Sequence, residues 1–170
     1  MKIAGHNKMT NYHQLGIDVR RFIPVTRKIT LALRTASLLS SPEIPIYDRA
    51  YLGYEERIRG RFYNIFEGEN LVLGNTEIRF PLIKIRYFNF PIIPRFKRYT
   101  SNLKLGLSGA VFFDTGAIWF HNQKISRYSF KSGFGAGLHL HLPYIDLLRL
   151  ECGITPQWDV QGIVDVDLAF

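Results

Sequence analysis

The chain has 170 residues, 46% of them hydrophobic, and a net charge of +8, enough for one domain with a sizeable core and no more. Its single cysteine, Cys152, excludes a disulfide framework and a cysteine metal cluster, and no run of 18 or more apolar residues writes a transmembrane helix. Thirteen Phe, nine Tyr and 14 Gly are instead the material of strands and turns, which keeps a membrane barrel in play, since its alternating strands average near zero hydropathy.

Residues 1–11 have no continuous apolar core of signal-peptide length and are expected to be disordered or to add a partial strand, so the domain proper is 12–170. From there period-two patterns recur, while helical periodicity is hard to find. In the first strand Leu15, Ile17 and Val19 alternate with Gly16, Asp18 and Arg20, and a turn is expected at Ile23 and Pro24. The second, about 27–37, sets Ile29, Leu31 and Leu33 against Thr30, Ala32 and Arg34. Residues 40–68 form a long connection broken by Pro42, Pro45, Gly53, Gly60 and Gly68; loops of such length in compact domains tend to be functional. The third strand, about 71–80, opposes Thr76, Ile78 and Phe80 to Asn75, Glu77 and Arg79, and 81–101, interrupted by Pro91 and Pro94, fits no single element.

The fourth strand, about 102–119, is the longest. Leu103, Leu105, Leu107, Val111 and Phe113 share a face opposite Lys104, Gly106, Ser108, Ala110, Phe112 and Asp114. The fifth, 133–142, opposes Phe134, Leu138 and Leu140 to Gly133, Gly135, Gly137, His139 and His141, and a tight turn follows at Pro143 and Tyr144. The sixth, 145–153, alternates Leu148, Leu150 and Cys152 with Arg149 and Glu151; the last, about 161–170, alternates Val164, Val166, Leu168 and Phe170 with Asp165 and Asp167. Several strands approach the roughly 9–11 residues that cross a bilayer when tilted.

Period alone does not say which face is buried. A soluble sandwich hides the apolar face, whereas a membrane barrel turns it to lipid and keeps the polar face in a lumen. Glycine and serine interleaved with single charges on the second face suit a confined, hydrated interior. The positive charge suggests an anionic partner, lipid surface or nucleic acid, or simply solvates loops and lines a lumen. The basic runs, Arg20-Arg21 and 95–98 (RFKR), are too short to make the clustered face that nucleic acid needs, so no nucleic-acid partner is expected.

Two stretches hold the chemistry. Ile58-Arg59-Gly60-Arg61-Phe62 puts a bare Arg-Gly pair in the long loop, and Phe112 to Gly116 (FFDTG) puts a lone carboxylate, Asp114, on an aromatic strand. A guanidinium presents a planar fork that a carboxylate accepts through two hydrogen bonds, and glycine lets the backbone approach a wall without a Cβ clash. By spacing alone, Arg59 could equally be a solvated loop charge and Asp114 a strand-end turn former. His139 and His141 lack a third ligand in register and read as a lumen-facing structural pair, so no metal is expected. The segment 133–137 is no nucleotide loop, because no helix or Lys-Ser/Thr follows, and 106–109 is no nucleophile elbow. No acid–base pair stands out; no catalytic residue, cofactor or enzymatic activity is assigned.

In order and spacing these stretches resemble the C-terminal barrel half of BamA-like outer-membrane assembly and translocation proteins (the bacterial surface antigen family), over about residues 12–170. The family's Val-Arg-Gly-aromatic loop motif stands here as Ile58-Arg59-Gly60-Arg61-Phe62, with the aromatic one position later. Gly74 and the following NTEIRFP resemble the strand after that loop, and Phe112, Asp114 and Gly116 match the Phe-x-Asp-x-Gly element of the next. The Gly-rich strand, Pro turn and Leu-Arg-Leu-Glu strand of 133–151 also fit, as does a C-terminal strand signal of Val166, Leu168 and Phe170.

The resemblance implies an antiparallel transmembrane β-barrel of about seven to eight strands, the C-terminal part of a larger barrel, in the bacterial outer membrane. It implies a role in assembling proteins there or passing polypeptide across, with Arg59 and Gly60 at an inward loop tip and Asp114 as its partner on the wall. The partners so implied are outer-membrane lipid and unfolded outer-membrane or secreted polypeptides. Seven strands leave two open edges, unstable in lipid, so a second copy or an N-terminal barrel half is expected to close the barrel. The alternative is a soluble all-β binding module for an anionic ligand.

Overall fold

The computed structural model describes residues 12–42, 44–54, 56–89, 103–126 and 129–168, and for Asp146, Asp167 and Leu168 the backbone only. Among the described residues nine strands run β1 (Gln14–Pro24), β2 (Thr30–Ser40), β3 (Ala50–Leu52), β4 (Phe66–Gly68), β5 (Asn70–Phe88), β6 (Leu103–Trp119), β7 (Lys131–His141), β8 (Ile145–Ile154) and β9 (Val160–Leu168). Seven form one antiparallel sheet in the order β1-β2-β5-β6-β7-β8-β9, each long strand beside the next long one in sequence. Among the described residues β1 and β9 are its free edges, so the sheet is open.

The polarity of this sheet is inverted with respect to a soluble protein. Ile17, Val111, Phe113, Leu138 and Val164 point to an uncovered face, with Phe113 48% and Val164 67% exposed. Glu77, Asp114, His139 and Glu151 lie buried on the other. Burying carboxylates while leaving valine and phenylalanine bare is unfavourable in water. It is the expected arrangement when the uncovered face meets hydrocarbon.

The connection 41–69 covers the polar face. It carries a short 3-10 turn, Ile46–Asp48, and the β3–β4 hairpin, so the long connection predicted for 40–68 has structure of its own. Leu52 and Ile58 of this segment are buried with Ala36 of β2 and Leu71 and Leu73 of β5 in a small apolar cluster. That cluster is the only extended apolar packing on the covered face among the described residues; polar contacts hold the rest.

Two boundaries differ from the sequence pattern, each for a local reason, and a third agrees with it. The turn expected at Ile23 and Pro24 comes later, at 25–29, because β1 is an edge strand whose outer side needs no proline N–H. The third strand does not stop at Phe80 but continues to Phe88. Pro81 is tolerated because β2 pairs with β5 only as far as Arg79 and because the β5–β6 register shifts on either side of Ile83. Pro143 and Tyr144 do form the β7–β8 turn, with Tyr144 in the left-handed region at φ 66°.

Candidate functional site

The site lies where the loop tip meets the covered face. Arg59 enters from the loop, and four of the groups it meets come from three strands. Its Nε donates to Asp114 Oδ2 at 2.8 Å, its Nη2 to Asp114 Oδ1 at 3.0 Å, and its backbone N–H to Oδ2 at 3.0 Å. Asp114 is 0% exposed, and these three donors replace the water it has lost. The remaining Nη1 donates to Glu77 Oε2 of β5 at 2.5 Å and to Glu151 Oε1 of β8 at 3.2 Å. The guanidinium lies over the Phe112 ring, 3.8 Å from its centroid, which adds a cation–π attraction on the face that the carboxylates leave free.

One arginine cannot neutralise three carboxylates. Arg79 donates through Nε to Glu77 Oε1 at 2.6 Å, and the His139 ring Nε2 lies 3.1 Å from Glu151 Oε1. The cluster therefore joins Arg59 to strands β5, β6, β7 and β8. A second ionic tie stands on the other side of the loop, where Arg34 of β2 bonds both Asp18 of β1 and Glu56 of the loop.

The backbone of the tip rests directly on the wall. Gly60 has φ 102°, a conformation that side-chain-bearing residues rarely adopt, and a Cβ there would meet the Ile154 carbonyl oxygen at 2.9 Å. On the wall itself, a Cβ at Gly133 would lie 1.9 Å from the Arg59 carbonyl oxygen, and one at Gly153 would lie 2.3 Å from the Gly60 nitrogen. Gly133 is also the cross-strand partner of Asp114. Glycine on β7 and β8 thus clears the space that lets the arginine reach the aspartate.

The other sequence-predicted residues fall as follows. Ile58 is 2% exposed in the apolar cluster. Arg61 Nη2 donates to Gln157 Oε1 at 2.7 Å, in the β8–β9 connection. Phe62 donates its backbone N–H to Gln161 Oε1 of β9 at 2.7 Å, and the Arg57 guanidinium covers its ring. Gly116 lies opposite Leu73, where a Cβ would come 2.9 Å from the Val72 carbonyl oxygen. Val166 is on the uncovered face, the Leu168 backbone pairs with Ile145, and Phe170 lies outside the described residues, as do 1–11. The two predicted histidines diverge in their bonds: His139 serves the cluster, whereas the His141 ring is 3.1 Å from Ser108 Oγ.

Sequence reasoning missed Glu77, Arg79 and Glu151 as members of the site, and Gly133 and Gly153 as its floor. Glu77 and Glu151 were already visible as single carboxylates on the polar faces of their strands. What was absent was the cross-strand register that sets them around Asp114. At the loop's far edge, Glu69 accepts from the His121 backbone N–H and lies 2.8 Å from its ring Nδ1. These bonds, the backbone one foremost, hold the Glu69 carboxyl below its ordinary range.

Comparison with known families matches the chain to the Omp85 superfamily domain over residues 1–162. No curated protein matches the chain.

Proposed function

The chain belongs to the Omp85 superfamily, and from that premise we propose that it is an outer-membrane β-barrel component that assembles proteins into that membrane or passes polypeptide across it. Its partners are outer-membrane lipid on the uncovered face and unfolded outer-membrane or secreted polypeptide as the client. A second copy or an N-terminal barrel half meets the free edges of β1 and β9.

One observation carries this reading. A loop of the chain crosses the polar face and is tied there by Arg59 to Asp114. The loop covers the face that a passing polypeptide would use, and beside the apolar cluster of Leu52 and Ile58 its tip is held by ion pairs. Such an anchor holds firmly in a partly dry lumen and loosens where water enters. The inward Arg-Gly tip is therefore the part that sets the state of the pore, and the chain does its work without covalent chemistry.

The test reconstitutes the full chain in vesicles and follows folding of a urea-unfolded outer-membrane barrel added from outside. The expected result is acceleration over protein-free vesicles, lost in Arg59→Ala and Asp114→Asn. Folding of the client at the same rate with the wild-type chain and with both variants would overturn the role of the anchor. No acceleration by the wild type would overturn the assembly reading itself.

A further inference from the structure

The β5–β6 hairpin reaches past both neighbours at the end of the sheet opposite the anchored loop. β5 pairs with β2 only up to Arg79 yet continues to Phe88, and β6 begins at Leu103, before β7 pairs with it at Gly106. Past both neighbours the described arms are 84–88 and 103–105, a projection of about 17 Å. Unpaired strand edges are costly in hydrocarbon, so this projection stands outside it.

Its chemistry is distinct from the rest of the molecule. Between Glu77 and Asp114 the sequence contains no carboxylate, while Lys84, Arg86, Arg95, Lys97, Arg98 and Lys104 are all basic. On the described arms, 80–88 and 103–113, the basic residues are Lys84, Arg86 and Lys104, with no carboxylate among them. The described arms are also apolar and exposed: Ile83, Ile85, Tyr87 and Leu105 are uncovered. Leu103 and Leu105 belong to the same β6 file as Val111 and Phe113, and Ile83 and Phe88 flank that file on β5, so the apolar surface continues from the proposed lipid-facing wall into the projection.

We propose that the β5–β6 projection is a membrane-surface anchor that lies on the anionic phospholipid headgroups flanking the barrel. The proposal rests on the membrane reading given above. Basic side chains alternating with aliphatic and aromatic ones suit the headgroup boundary, where apolar parts enter and cationic tips stay wet. Each basic residue near an anionic surface strengthens partitioning by about fivefold. A protein partner of acidic character would satisfy the charge, but not the continuity of the apolar file with the wall. The anchor would fix the tilt of β5 and β6, the strands that carry Glu77 and Asp114.

The test uses the full chain with Cys152→Ala and an environment-sensitive fluorophore on Tyr87→Cys, with Val164→Cys as a separate label site on the uncovered face. Both are reconstituted in vesicles of phosphatidylcholine, with or without phosphatidylglycerol. The expected result is a blue-shifted Val164→Cys probe in both vesicles, and a Tyr87→Cys probe that shifts blue only with phosphatidylglycerol. That second shift should be lost in Lys84→Glu/Arg86→Glu. A Val164→Cys probe in lipid with a Tyr87→Cys probe in water throughout overturns the anchor and leaves the hairpin to a protein partner. A Tyr87→Cys shift insensitive to phosphatidylglycerol overturns the electrostatic part. A Val164→Cys probe in water overturns the membrane reading, and the anchor with it.

Discussion

Arg59 and Asp114 are joined by three hydrogen bonds, and the surroundings decide how the pair should be tested. Exchanging the two charges would set a new carboxylate at position 59 against Glu77 and Glu151, so failure of the exchange would say nothing about the pair. Single neutralisations are sharper. Arg59→Ala leaves Asp114 buried without its two guanidinium donors, a loss of about 3–5 kcal/mol at the buried limit. Asp114→Asn removes the charge but keeps an acceptor, and should cost less. The two should be non-additive, with a coupling of about 0.5–3 kcal/mol, read from tryptic cleavage of the loop at Arg57 and Arg61 in membranes. Additive effects would mean that the loop is held elsewhere. Gly133→Ala offers an independent check, because its Cβ would overlap the Arg59 carbonyl and must displace the tip. Overpacking of this kind costs about 1–3 kcal/mol, and the loop should become protease-sensitive with every charge intact.

At the scale of elements, the strands were legible because their two faces meet different media, and that difference is written at period two. It held for β6, where Phe112 and Asp114 face the loop and Val111 and Phe113 do not. It failed where a proline carried the argument. Pro81 reads as a strand end, yet the strand runs on, since a missing N–H matters only where a neighbour asks for it. The β3–β4 hairpin was hidden for another reason: its strands are three residues each, too short for any alternation to register. The site was half legible. Asp114 stands out as the one carboxylate of β6, and the Arg-Gly pair through its order and spacing with that aspartate. Glu77 and Glu151 look like ordinary polar-face residues until register brings them to one point.

The loop's outer edge responds to pH through Glu69. Its carboxyl is held low in the folded state, so its bonds to His121 stabilise above the ordinary glutamate range and are lost as pH falls through the depressed value. The protection factor of the His121 amide, its exchange rate relative to the intrinsic rate at each pH, should therefore fall on acidification, and Glu69→Gln should flatten that dependence. An amide whose protection is unchanged by pH would remove Glu69 as the cause. The pair is solvent-accessible, so the effect should be local rather than global.

For the whole molecule, the inverted polarity separates the two environments that the sequence left open. A charge placed mid-strand on the lipid side of a barrel costs about 2–4 kcal/mol, whereas on a solvated surface it is close to neutral. Phe113→Arg should therefore abolish folding into vesicles. Near-neutral behaviour, with the chain soluble and monomeric without detergent, would favour the soluble binding module instead. The open edges β1 and β9 make the same point in another way, since a sheet in lipid needs its edges paired.

The anchor also imposes an order of assembly. Arg59 bonds Glu77 18 residues away, Asp114 55 away and Glu151 92 away, and the Phe62 amide waits for Gln161, 99 residues on. Contacts so far apart in sequence form late, because the intervening chain must first be ordered. The loop cannot be fully seated until β8 and β9 are in place. A chain stalled before its last strands would keep its arginine short of partners and its loop loose, so a seated tip doubles as a signature that the sheet is complete.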